Sequence, residues 1–298
     1  MIRIGTASWT DPTLLASGCF YPPGVRSPAE RLAYYANQFP LVEINGSYYA
    51  LPDAQRVDRW ARHTPDRFRF HAKAFRLFTG HPTPVAAFPI DIRQDLGACF
   101  AKASVFENQL PADIVQVLWS RFLEGLEPLR LAGRLDAIHC QFPHWVRPDT
   151  RGHALVERTA RQLSDHTFSV KWRHRSWLTG AQRAATLAWQ REIGAVHTVV
   201  DSPEGFDDTA PAVWTSTHPD LAIVRLHGRN AQAWHARTGA SSGRFMYEYS
   251  DDKLADLAAH IKRLSAAIAR THVVLNTNYQ DQGMRNAQRL SQALAQLA

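Results

Sequence analysis

The chain has 298 residues, of which 45% are hydrophobic, and a formal net charge of +7. No run of about 18 apolar residues occurs, so we expect no transmembrane helix, and the N-terminus lacks the pattern of a signal peptide. Three cysteines without a CxxC spacing argue against a disulfide framework. These features predict a soluble cytoplasmic protein with no membrane partner. Its scattered positive charge fits an anionic partner and, slightly better, a compositional bias towards arginine.

Short β-branched or aromatic runs alternate with amphipathic segments along the chain. The predicted strands are, in order, Ile2–Ser8, Leu41–Asn45, Arg67–Lys73, Leu135–Phe142, Thr167–Trp172, Ala195–Asp201, Leu221–His227 and Val273–Asn276. The predicted helices are Pro28–Phe39, Ala54–His63, Ala112–Leu129, Leu155–Leu163, Ala181–Ile193, Asp251–Ile268 and Asn286–Leu297. This α/β alternation predicts a single (β/α)8 TIM barrel over residues 1–298. A doubly wound sheet would carry a glycine-rich fingerprint after its first strand, and none is present.

Two connections between predicted strands are long, Ala74–Arg134 and Gly228–His272. Both leave the C-terminal end of a strand, where the loops of TIM barrels form active sites. Within the second, Ser250 precedes Asp251 and Asp252, a pattern that predicts a helix N-cap with acids in the first turn.

Most of the predicted strands end in polar residues instead of ordinary turn residues. The candidate site residues at these ends are Glu43, Asn45, Lys73, Gln141, Lys171, Arg173, Asp201, Arg225, His227, Arg229, Asn276 and Asn278. Side chains alternate along a strand, so the polar face of each strand is expected to point into the barrel lumen. Any one pair, such as Glu43 with Arg173, fits a structural ion pair equally well. As a set they predict a ligand site at the mouth of the barrel.

The predicted site holds more cations than carboxylates. Cations outnumber Glu43 and Asp201, and an unbalanced cation cluster favours an anion such as a phosphate or carboxylate. Tyr48 and Trp177 can stack on a flat ring or pack against the rim. The histidines show no HExxH spacing and no CxxC accompanies them, so we predict neither a metal nor another cofactor.

Several motifs are spread over nearly the whole chain. They are IGTASW (Ile4–Trp9), CFYPPG (Cys19–Gly24), VEINGSYYALP (Val42–Pro52), RWARHTPDRFRFHAKA (Arg59–Ala74), QFP (Gln141–Pro143), RHRSW (Arg173–Trp177), RLHGR (Arg225–Arg229), YEYSDDKL (Tyr247–Leu254) and Asn276-Thr277-Asn278 followed by RNA (Arg285–Ala287). Together they resemble the domain-of-unknown-function family 72, the YecE-like proteins. The resemblance implies a TIM barrel and no particular reaction.

Two positions depart from that family's pattern. Lys171 stands where relatives carry a glutamate, and Asn276 is followed by Thr277 where relatives have two adjacent asparagines. The first departure removes a potential acid–base or metal-binding carboxylate and adds a cation.

The first functional hypothesis is an enzyme acting on a phosphorylated or other anionic substrate, for example a phosphoester hydrolase or nuclease. Glu43 or Asp201 would act as base and His227 as proton shuttle, with cations holding the anion and amides orienting the substrate. The remaining hypotheses are a non-catalytic nucleic-acid-binding protein and a carbohydrate-active barrel. The predicted ligand-binding residues are Asn45, Tyr48, Lys73, Gln141, Lys171, Arg173, Trp177, Arg225, Arg229, Asn276 and Asn278.

Overall fold

The computed structural model describes residues 1–97, 104–234 and 245–297. Eight parallel strands close into a barrel in chain order, which confirms the (β/α)8 prediction. The strands are β1 (Ile2–Thr6), β2 (Leu41–Ile44), β3 (Arg69–Lys73), β4 (Leu135–Gln141), β5 (Phe168–Lys171), β6 (Val196–Asp201), β7 (Leu221–Leu226) and β8 (Arg270–Leu275). The helices are α1 (Pro12–Ser17), α2 (Pro28–Gln38), α3 (Ala54–Arg62), α4 (Ile90–Leu96), α5 (Ala112–Leu131), α6 (Thr150–Gln162), α7 (Gln182–Glu192), α8 (Asp251–Ser265) and α9 (Gln282–Ala295).

Most elements end one to three residues away from the predicted C-terminus, and the two largest differences are at the N-termini of α6 and α9. Strand β8 begins at Arg270, three residues early, because its polar first residues pair with both neighbouring strands. Helix α6 begins at Thr150, where the Asp149 side chain accepts a hydrogen bond from the Gly152 amide at 2.8 Å. Ser250 caps α8 as predicted, accepting from the Lys253 amide. No helix in the described ranges is long and apolar enough to cross a bilayer.

The strand register decides which side chains share the lumen. Paired residues of neighbouring parallel strands lie at one level and point to the same face. Glu43 pairs with His71, and Gln141 pairs with Lys171, so these polar residues face the lumen together. On the outer face, apolar residues of the strands pack against the helices and form the main core.

Strand β6 carries its polar residue on the other face. Val200 is the register partner of Arg225, whereas Asp201 is the partner of Leu226, a core residue. The side chain of Asp201 therefore leaves the sheet on the side away from Arg225. The sequence expectation that every polar strand end shares one lumen face does not hold for β6.

Barrel closure between β1 and β2 depends on a residue without a side chain. A β-carbon built on Gly5 would lie 1.8 Å from the Leu41 carbonyl oxygen. The Leu41 backbone cannot move away without disrupting the register of the two strands. A side chain at position 5 would therefore lower the stability of the fold.

We therefore expect Gly5→Ala to lower the free energy of unfolding by about 3 kcal/mol or more, measured by denaturant titration. Gly46→Ala is the matched control, because a β-carbon on Gly46 meets nothing within 4 Å. Equal stability of the two variants would contradict the close-approach argument.

Candidate functional site

A cavity of about 480 Å³ opens at the C-terminal ends of the strands, and we call it the mouth cavity. Its lining includes most of the predicted ligand-binding residues: Asn45, Tyr48, Lys73, Gln141, Lys171, Arg173, Arg225, Asn276 and Asn278. Further lining residues, outside the predicted set of ligand-binding residues, are Ser8, Thr10, Asp11, Pro12, Tyr49, Trp234 and Phe245. Residues from opposite sides of the barrel thus meet in one volume, of the size that holds a small ligand.

A buried ion pair lies at the floor of the mouth cavity. Arg225 Nη2 contacts Glu43 Oε1 at 2.6 Å, and both side chains are almost fully buried. The other terminal nitrogen, Nη1, lies 3.3 Å from His139 Nε2. Glu43 does not line the cavity. Its carboxylate is bound to Arg225, which does line it. The second carboxylate oxygen, Oε2, has no hydrogen-bond partner among the described residues.

A chain of hydrogen bonds leads from Arg225 to the opposite wall. Asn276 Oδ1 accepts from Arg225 Nη2 at 3.3 Å, and Asn276 Nδ2 lies 2.7 Å from His227 Nδ1. His227 Nε2 in turn lies 2.6 Å from Lys171 Nζ. Lys171 also donates to Gln141 Oε1 at 3.3 Å. Burial first, and then neighbouring cations such as Arg225, hold the pKa of His227 well below its usual range, so the imidazole is neutral.

Lys73 is the cation of the mouth cavity whose positive charge is least balanced by nearby carboxylates. Its Nζ lies 4.3 Å from the Tyr48 ring centroid, a cation–π contact. No described carboxylate pairs with it, since Glu43 is bound to Arg225. Burial and then Arg225 lower the pKa of Lys73 to about 7, and Glu43 opposes this only in part. A bound anion would supply the missing countercharge.

Two amides on the wall present oxygens that have no partner. Asn45 Nδ2 donates to the Ala7 carbonyl, and Asn278 Nδ2 donates to Asp11 Oδ2 at 2.9 Å. Within the described ranges, neither Oδ1 atom accepts a hydrogen bond. Both oxygens are buried and keep unused acceptor capacity.

The arginines of the mouth form more ion pairs with acidic side chains than the sequence suggested. Arg173 contacts Asp208 at 3.0 Å, and its guanidinium lies 5.7 Å from the Trp234 ring centroid. Asp208 lies in the loop after β6, so no strand-end pattern pointed to it. Arg225 is paired to Glu43 and Arg173 to Asp208, so among the described residues Lys73 and Lys171 are the basic side chains of the cavity without a carboxylate partner.

Asp201 and Arg229 line a separate cavity of about 400 Å³ beside the loop that follows β6. Asp201 Oδ1 accepts from Arg229 Nε at 2.8 Å, and its Oδ2 accepts from the Tyr249 hydroxyl at 2.6 Å. Tyr249 also accepts from the Gly228 amide. These contacts anchor the start of the connection between β7 and α8. Asp201 therefore does not share a cavity with Glu43.

Trp177 and the lumen histidines have partners within the protein. Trp177 is buried, stacks on Trp172 with ring centroids 3.9 Å apart, and donates to the Val146 carbonyl. His71 Nε2 lies 2.9 Å from His272 Nδ1. Within the part of the chain that the structure describes, no three potential metal ligands form a cluster.

Removing one partner of the floor pair should be more harmful than removing both. Glu43→Leu leaves the Arg225 charge buried and unpaired, so we expect a loss of about 3–5 kcal/mol in the free energy of unfolding. Combining it with Arg225→Met should recover most of that loss. Asp91→Ala, which breaks the exposed pair with Arg121, should cost less than about 1 kcal/mol. Additive losses in the double variant would show that the pair is not coupled.

Comparison with known proteins places the chain among relatives whose activity is not named. The family described as "Protein of unknown function DUF72" matches residues 3–298. The UPF0759 protein YunF of Bacillus subtilis is 27% identical over 281 residues, covering 93% of this chain and 89% of that protein.

Two solved structures share the fold. A DUF72 family protein from Enterococcus faecalis has a TM-score of 0.78 at 24% identity, covering 99% of this chain and 96% of the other. One from Thermotoga maritima has a TM-score of 0.77 at 24% identity, covering 99% of each chain. Since the family matches nearly the whole chain, this protein belongs to the DUF72 family.

Proposed function

We propose that this protein is an enzyme that binds a small phosphorylated or otherwise anionic substrate in the mouth cavity. The observation that carries the proposal is Lys73, a half-buried cation on the cavity wall to which no described carboxylate is paired. An uncompensated cation lowers stability, and a protein tolerates that cost most readily where a ligand needs the charge.

The residues around Lys73 fit the same ligand. Arg173 and Arg225 bring planar guanidinium groups to the cavity, and such groups match phosphate or carboxylate oxygens. A volume of about 480 Å³ suits a metabolite-sized molecule.

The two predicted acid–base groups nearest the cavity do not line it, and each contacts a side chain that does. Glu43 is bound to Arg225, and His227 is bound to Lys171. Neither Glu43 nor Asp201 lines the mouth cavity, so neither directly faces a water molecule that attacks a phosphoester there. We therefore restrict the proposal to the ligand class and do not favour phosphoester hydrolysis or nuclease cleavage over other reactions.

The other two hypotheses have less support. A nucleic-acid surface needs unpaired cations in a continuous stripe, whereas several surface arginines here pair with neighbouring acids, as Arg121 does with Asp91 and Arg130 with Glu127. A glycosidase needs two carboxylates that flank one bond, and Glu43 and Asp201 do not share a cavity.

Binding of an anion should weaken as the pH rises through about 7. Lys73 attracts an anion only when its amine is protonated, and its pKa is about 7. Above that pH, binding must first protonate the amine, at about 1.4 kcal/mol per pH unit. Inorganic sulfate is the probe, because its charge is constant over this range. We expect saturating sulfate to raise Tm by roughly 2–4 °C near pH 6 and by less than about 1 °C near pH 9.

Lys73→Met should abolish the effect of sulfate at both pH values. It should also raise the free energy of unfolding without ligand by roughly 1–2 kcal/mol near pH 6, since it removes a poorly compensated cation. Lys262→Met, at an exposed lysine of α8, is the matched control and should respond to sulfate as the natural protein does. A sulfate effect that survives Lys73→Met, or does not change with pH, would refute the assignment of the anion site.

A further inference from the structure

The chain of hydrogen bonds beneath the mouth cavity has one direction, because it starts at a side chain with no acceptor. An arginine guanidinium can only donate. Arg225 Nη2 faces Asn276 at 3.3 Å, so the amide presents its oxygen to Arg225. Its NH₂ group then points to His227 Nδ1, 2.7 Å away. Nδ1 is therefore an acceptor.

This direction fixes the proton of the neutral imidazole. A neutral histidine that accepts at Nδ1 carries its hydrogen on Nε2. The partner of Nε2 is Lys171 Nζ, at 2.6 Å. Nε2 donates, so Nζ must accept. An ammonium group has three donors and no acceptor, whereas an uncharged amine has a lone pair.

The opposite assignment conflicts with Arg225. If Lys171 were an ammonium donating to Nε2, the hydrogen of His227 would sit on Nδ1, and Asn276 would have to turn its oxygen towards His227. The amide NH₂ would then face the Arg225 guanidinium, donor against donor. A third buried cation would also stand close to Arg225 and Arg173. Burial first, and then Arg225, Arg173 and Lys73, hold the pKa of Lys171 well below its usual range.

The position of Lys171 makes its amine available to a ligand. It is the last residue of β5, is almost fully buried and lines the mouth cavity. Lys73 and Arg173 line the same cavity. An uncharged amine has a free lone pair and is a nucleophile towards carbonyl carbons. The cations beside it select carbonyl compounds that also carry a negative charge.

We propose that Lys171 forms an imine with a small anionic aldehyde or ketone, such as a 2-oxo acid or a phosphorylated aldehyde, bound in the mouth cavity. The proposal rests on the proposed anion site, which holds the charged end of the substrate. It adds the reacting atom, Lys171 Nζ, and the carbonyl class of the substrate.

The step balances without an oxidant or a reductant. The Nζ lone pair adds to the carbonyl carbon, and the π electrons of the C=O bond move to oxygen. The two hydrogens of the amine are transferred to that oxygen, which leaves as water, and a C=N bond forms. His227 Nε2 is in contact with Nζ and can relay these protons. The imine then draws electrons from the neighbouring carbon, which favours bond making or breaking there.

The test is trapping of the imine on the full chain. The protein is incubated near neutral pH with pyruvate and cyanoborohydride, which reduces the imine to a stable amine, and the labelled lysine is mapped by mass spectrometry. The chain has only five lysines, so the assignment is direct. A surface lysine is uncharged in roughly one molecule in a few thousand near pH 7. We expect Lys171 to label at least about tenfold faster than Lys253 or Lys262.

Two variants make the test specific. Lys171→Arg should remove the fast label. In Asn276→Asp, the new carboxylate should accept hydrogen bonds from both Arg225 and His227. The imidazole hydrogen should then move to Nδ1, and Lys171 should become an ammonium group that donates to Nε2. Its labelling at neutral pH should fall to the level of the surface lysines and recover only at high pH. Labelling of Lys171 no faster than that of surface lysines in the natural protein would overturn the proposal, whatever the variants do.

Methyl pyruvate, which lacks the charge, separates this proposal from the anion site. Pyruvate should label Lys171 faster than its ester, and sulfate should slow the reaction. Glyceraldehyde 3-phosphate beside glyceraldehyde gives the same comparison for a phosphorylated substrate. Sulfate binding without labelling would leave the anion site standing and refute the imine. Fast labelling of Lys171 at the same rate by pyruvate and its ester, with no effect of sulfate, would establish a reactive amine. It would refute the proposal that the anion site holds the substrate beside that amine.

Discussion

The contact between Arg225 and Glu43 is the interaction on which the rest of the mouth depends. Two opposite charges are buried in the lumen, and the arginine uses its remaining donors to orient His139 and Asn276. A guanidinium cannot accept a hydrogen bond, so every group attached to it has only one orientation. The direction of the network follows from that one chemical property.

The same contact shapes the electrostatics of the cavity. Because Glu43 is bound to Arg225, it compensates Lys73 only in part. Burial first, and then the positive field of Arg225, lower the pKa of both mouth lysines. This environment underlies our proposals that Lys73 binds an anion and that Lys171 attacks a carbonyl carbon. Arg173, which sequence patterns grouped with them, is matched by Asp208. The basic groups of this mouth without a described carboxylate partner are thus its two lysine amines, and arginines provide its rigid frame.

Several elements followed from local patterns. The eight strands could be predicted because β-branched runs with period two are a property of a few neighbouring residues. The N-cap at Ser250 could be predicted for a similar reason, since cap and first turn are adjacent in sequence. Nine of the predicted ligand residues line one cavity, because the C-terminal ends of all strands in a closed parallel barrel meet at one rim.

The sequence by itself therefore determined the class of fold, the polar lining of the lumen and the rim at which ligand residues gather. Only the tertiary structure decided which charges pair. Asp201 leaves the sheet on the outer side because the register of β6 against β7 matches it with Leu226. Asp208 reaches Arg173 from a loop, and Lys171 meets His227 across the lumen. Strand register and barrel closure set these distances, and both are settled by the packing of the whole sheet.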